Sequence, residues 1–133
     1  MRLIIITLLL SLLCGSTFAQ KKKNSKDNPM DMSKMKTYYL VLLKKGPKRS
    51  QDSTEAMKIQ TAHLAHITNL ASNGKLAIAG PCTDNGDLRG IFILNVTTLE
   101  EAKALTEADP AVKAGRLIME IHPWMSEKGR KLP

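Results

Sequence analysis

The sequence predicts an α+β domain in which one four-stranded antiparallel sheet carries two helices on one face. Three observations carry that prediction. Four short apolar runs are bounded by glycine, proline or polar clusters. Two other segments open on capping-box spacing and keep apolar residues at helical period. The two kinds alternate as β-α-β-β-α-β, the split arrangement of ferredoxin-like folds. A chain of 133 residues has room for one such domain.

Thr37 to Leu43 forms the first strand, a β-branched and aromatic run that stops at Lys44-Lys45-Gly46-Pro47. Asp52 and Glu55 then stand at capping-box spacing, and the helix they open runs to Asn73, with Gly74 as its stop. Ala56, Ile59, Ile67, Leu70 and Ala71 gather on one side of that helix. Lys75 to Ala79 is a second short strand, ended by Gly80-Pro81, and Leu88 to Val96 a third. Thr98 and Glu101 repeat the capping box for a second helix, which Pro110 stops near Ala108. Asp109-Pro110 up to Gly115 has the cap, first-position proline and stop of a one-turn helix. Arg116 to His122 is the last strand, and Pro123-Trp124 closes the domain.

A sheet with one wet face should alternate apolar and polar residues. Tyr38 to Leu43, Ile91 to Leu94 and Leu117 to Met119 are instead apolar at consecutive positions. Both faces therefore need cover. A second copy of the chain, packed sheet to sheet as a homodimer, is the economical cover; the N-terminal segment folding back over the sheet is the other.

The chain carries 20 Lys and Arg against 12 Asp and Glu, a formal charge of +8. That surplus suggests nucleic acid until it is mapped. Residues 37–125 hold ten basic and nine acidic residues, so the excess lies in residues 1–36 and in the tail from Ser126. No helix or strand presents the basic face that nucleic-acid binding requires. Residues 1–19 have the parts of a secretory signal: Arg2, an apolar stretch from Leu3 to Leu13, and Thr17-Phe18-Ala19 as a small-x-small cleavage site. Leu13 ahead of Cys14 argues against a lipid-anchored cysteine. The apolar stretch falls short of a membrane span, so the expected product is periplasmic or secreted with no transmembrane segment after processing. Residues 20–36 read as a basic disordered leader, 37–125 as the domain and 126–133 as a basic tail.

His63 falls between Ile59 and Ile67, in the middle of the apolar side of the first helix, and His66 falls at its edge. An imidazole so placed is either a hydrogen-bonded core histidine or a catalytic base in a pocket. His122 sits at a strand end with no partner implied. No dependable metal-ligand spacing occurs and no cofactor motif is present, so neither metal nor cofactor is expected. Cys82 follows Gly80-Pro81 in a polar loop with nothing nearby in sequence to activate it. The sequon Asn95-Val96-Thr97 is read as a strand-end coincidence. Arg89 and Arg116 are candidates for binding an anionic substrate, and equally for strand-end surface charges.

Ala62-His63-Leu64-Ala65, Gly74-Lys75-Leu76, Ala79-Gly80-Pro81, Ala108-Asp109-Pro110, Ala114-Gly115 and His122-Pro123-Trp124 occur in an order and spacing that resemble the YCII-related (YciI-like) domain family. The resemblance spans essentially 37–125. It implies a dimeric α+β barrel, a His–Asp pair formed by His63 and Asp109, and lyase, isomerase or hydrolase-like chemistry on a small organic molecule. In the rival reading the domain is a non-catalytic binding or stress-related module, and both residues are structural.

Overall fold

A computed structural model describes residues 31–133. The signal segment, Cys14 and most of the leader lie outside the described residues. A 3₁₀ turn at Met32–Lys34 leads into β1 (Met35–Lys45). There follow α1 (Ser53–Ser72), β2 (Leu76–Pro81), β3 (Leu88–Leu94), α2 (Leu99–Glu107), α3 (Pro110–Lys113) and β4 (Leu117–Glu127). The sheet is antiparallel in the order β2-β3-β1-β4, the ferredoxin-like arrangement expected.

Local chemistry sets the helix ends. Asp52 accepts the Glu55 amide at 2.8 Å to start α1, and Thr98 Oγ1 accepts the Glu101 amide at 3.1 Å to start α2. α1 ends in a Schellman motif: Gly74 donates to Ala71 at 3.0 Å and Lys75 to Leu70 at 2.9 Å. α3 ends the same way at Gly115, whose φ of 70° puts it in the left-handed region. There Gly115 donates to Val112 at 2.8 Å and Arg116 to Ala111 at 2.9 Å, which fixes the direction in which β4 begins.

The strands depart from expectation at their ends. β1 starts at Met35 rather than Thr37 because β4 runs on to Glu127, and the two pair from Met35↔Glu127 to Lys45↔Leu117. β4 thus continues through Pro123, and β2 continues through Gly80-Pro81. Both are edge strands, where a residue without an N–H can face away from the ladder. β3 stops at Leu94, two residues short, because Asn95 turns its amide to the Lys75 carbonyl at 2.8 Å.

Alternation sorts the side chains onto two faces. Tyr39, Val41 and Leu43 of β1 meet Phe92 and Leu94 of β3 on the helix side, packed with Leu70, Val96 and Ala102. Tyr38, Leu40 and Leu42 point the other way and share that face with Ile91 and Ile93. There Ile118 and Trp124 of β4 are 52% and 41% exposed. The open face is therefore apolar at its centre. Along β4 it also carries Glu120, which accepts from Lys44 and pairs with His122 Nε2 at 2.8 Å. His122 does have a partner, two residues back on its own strand. The Lys44 ammonium and the His122 imidazole hold the Glu120 carboxyl below the usual carboxylate range.

Glu101 joins α2 to the start of β2 through Lys75 Nζ at 2.6 Å, and that hydrogen bond holds its carboxyl below the ordinary range. A carboxyl depressed in the folded state contributes stability above its unfolded pKa, about 4.3 for glutamate, and loses it as pH falls through the folded value. In Glu101→Gln, stability should therefore fall less steeply on acidification. Urea midpoints at a series of acidic pH values check this, and parallel curves for the two proteins refute it.

Candidate active site

α1 and α3 meet against the helix side of the sheet, and their contact brings together two residues 46 positions apart. His63 is 7% exposed and Asp109 is fully buried. His63 Nδ1 lies 2.9 Å from Asp109 Oδ1 and 2.7 Å from Oδ2. A carboxylate accepts, so Nδ1 donates and holds the ring proton. Asp109 Oδ1 also accepts the Ala111 amide at 2.8 Å, as the N-cap of α3. The capping account of Asp109 and its pairing with His63 are both true of the same carboxylate.

With Nδ1 engaged, the lone pair of His63 is on Nε2. Among the described residues every fully buried side-chain nitrogen and oxygen has a hydrogen-bond partner. Nε2 makes no hydrogen bond within the protein, so it is not sealed in the core. It borders a cavity of about 420 Å³ that His63 helps to line. Ile59 and Ile67 of α1 supply apolar wall on either side of the histidine, with Leu43, Phe92 and Leu117 of the sheet opposite. The Phe92 ring lies nearly parallel to the imidazole, 6.1 Å between centroids. His66, at the edge of the helix face, is tied elsewhere: its Nε2 bonds the Leu105 carbonyl at 3.0 Å and joins α1 to α2.

Both arginine candidates line the same cavity. Arg116 arrives there because the Gly115 turn ends α3 and starts β4. Arg89 arrives through a break in register: Leu43 pairs with Gly90 but Lys44 with Leu88, which leaves Arg89 without a partner on β1. An unpaired residue of this kind re-aims its side chain. Arg49 also lines the cavity, a residue missed in the sequence because it sits in a loop of no pattern. That loop is held by Gly46 and Lys48 amides bonded to the Arg116 and Gly115 carbonyls, contacts that exist once β4 has returned beside β1. Cys82, with a free thiol, is a further lining residue.

The model of the YCII-related domain family matches residues 37–125. The chain belongs to this family. Among solved structures, this YCII-related domain is similar to 5-chloro-2-hydroxyhydroquinone dehydrochlorinase from Burkholderia phenoliruptrix AC1100 in complex with 2,5-dihydroxybenzoquinone. The identity is 24% and the TM-score 0.47, over 65% of this chain and 92% of that one. No curated protein matches the chain.

The double engagement of Asp109 in this YCII-related domain has a measurable cost of removal. Asp109→Ala leaves a buried imidazole donor without an acceptor and α3 without its cap, a loss of roughly 2–4 kcal/mol. Asp109→Asn keeps an oxygen for one of the two donors and should lose clearly less. Urea unfolding of both variants measures the difference; equal losses would show that one retained oxygen satisfies neither donor, and would overturn this prediction.

Proposed function

We propose that the cavity binds a small organic molecule and that His63, held by Asp109, acts on it as a general base. The observation that carries the reading is the state of the imidazole: one nitrogen donating to a fully buried carboxylate, the other bordering the cavity without a partner. Asp109 fixes the tautomer and favours the imidazolium that forms when Nε2 takes a proton. The proton comes from an acidic C–H, a phenolic O–H or a water, and the first step of a lyase, isomerase or hydrolase is common to all three. General-base assistance of this kind is worth about 10²–10⁴-fold in rate. In the rival reading the pair only holds α1 to α3, and the domain binds without catalysing.

A neutral probe separates the two. 2-Indanone carries acidic C–H groups beside a carbonyl and is small enough for the cavity. Its uptake of deuterium from heavy water, followed by proton NMR, should be accelerated by the protein. His63→Gln should lower the accelerated rate by about 10²-fold or more. Equal rates with wild type and variant, in a protein whose ligand binding is intact, favour the structural reading.

The exposed Ile118 and Trp124, beside half-buried Leu40 and Leu42, support a homodimer in which a second copy covers the open sheet face. Export rests on the composition of residues 1–19. One preparation tests both: the protein recovered from outside the cytoplasm should begin at Gln20 and sediment as a dimer. Ile118→Lys places a charge in the apolar patch and should raise the dimer dissociation constant at least roughly tenfold. A monomeric wild type ends the dimer reading, and an uncleaved chain ends the export reading.

A further inference from the structure

Three arginines, Arg49, Arg89 and Arg116, line a cavity whose lining contains no carboxylate. Several other cations of this domain pair with acids, as in Lys44 with Glu120, Lys75 with Glu101 and Arg130 with Glu127. Among the described residues no ion pair of this kind engages the three arginines. Each is instead steadied by a neutral oxygen through one terminal nitrogen. Arg49 Nη1 donates to the Arg116 carbonyl at 2.9 Å, Arg116 Nη1 to Gln51 Oε1 at 2.7 Å, and Arg89 Nη1 to the Gly86 carbonyl at 3.3 Å. A guanidinium has five N–H donors, so most of each fork stays free while its position is fixed.

Charge, geometry and lining combine into one ligand class. An uncompensated cationic rim in a nearly neutral domain favours an anion. Planar forks with free donors match a carboxylate, which they bind through paired hydrogen bonds. Most of the remaining side chains of the wall are apolar, Ile59, Ile67, Phe92 and Leu117 among them and Gln60 and Cys82 the exceptions, which suits an apolar body rather than a sugar or a nucleotide. Two of the three arginines are delivered by special backbone, the register break at Arg89 and the left-handed Gly115 before Arg116.

The structure assigns to this cavity a small organic carboxylate with an apolar body, its anionic end held by Arg49, Arg89 and Arg116 and its apolar body beside His63. This assignment rests on the reading of the cavity as the ligand site, and not on His63 acting as a base. The anion and the base have separate tests.

Benzoate and its neutral isostere benzamide are the probes, titrated into the intact protein and followed by amide chemical shifts. Benzoate should bind at least roughly tenfold tighter than benzamide, with shifts at Arg89, Arg116 and their neighbours in the cavity. Arg89→Gln/Arg116→Gln should remove that preference by weakening benzoate, and an amide spectrum as dispersed as that of the wild type shows that the variant is folded. His63→Gln should keep the preference; this outcome, with 2-indanone exchange lost or never present, separates the anion site from the general base. No saturation by benzoate, equal affinity for the two probes, or a preference that survives the double substitution would overturn the assignment.

Discussion

A buried carboxylate with two obligations organises this protein. Asp109 is withdrawn from water, and burial of such a group costs several kcal/mol unless its oxygens find donors. It finds them in its own helix, at Ala111, and in α1, at His63. The second donor fixes the rotation of α1 about its axis. A rotation of one residue would present Ala62 or Leu64 to Asp109, and neither can donate from its side chain. Leu64 is in fact 52% exposed, on the flank that the correct rotation turns outward. The apolar stripe of α1 would tolerate small rotations; the hydrogen bond does not.

The same constraint shapes the chemistry around it. Because Asp109 begins α3 and Gly115 ends it, the acid that holds the histidine and the arginine that starts β4 are joined by one short helical turn. Movement at either end is transmitted to the other. The cavity wall is divided: His63 stands among aliphatic side chains, and the arginines lack acid partners. On the function proposed above, such a division would let an ionic group anchor a ligand without occupying the base.

Local rules made much of this legible in the sequence. Asp52 and Thr98 announce their helices because a cap is a matter of three or four consecutive residues. The wheel position of His63 needs only the helical period, and the cap role of Asp109 needs only Pro110 and Gly115 beside it. What could not be read locally depends on strand position. Gly80-Pro81 and Pro123 look like terminators until β2 and β4 are known to be edge strands. Met35 and Lys36 look like leader until Ser126 and Glu127 arrive to pair with them. Arg49 and the Glu120–His122 contact lie in the same category, set by which segments become neighbours rather than by their own pattern. The pairing of His63 with Asp109 was suggested by the family resemblance; residue spacing placed each of them and not the contact.

The register break beside Arg89 reaches beyond one side chain. Side chains along a strand alternate between faces, and an extra residue inverts the parity of everything that follows it. Upstream of the break, Leu88 shares the open face with Lys44; downstream, Phe92 and Leu94 enter the core. Removal of Arg89 would close the break and leave a regular ladder, with Leu88 still opposite Lys44 on the open face and Phe92 and Leu94 still in the core. The break is thus a joint between two frames, and the residue it accommodates is the arginine that lines the cavity.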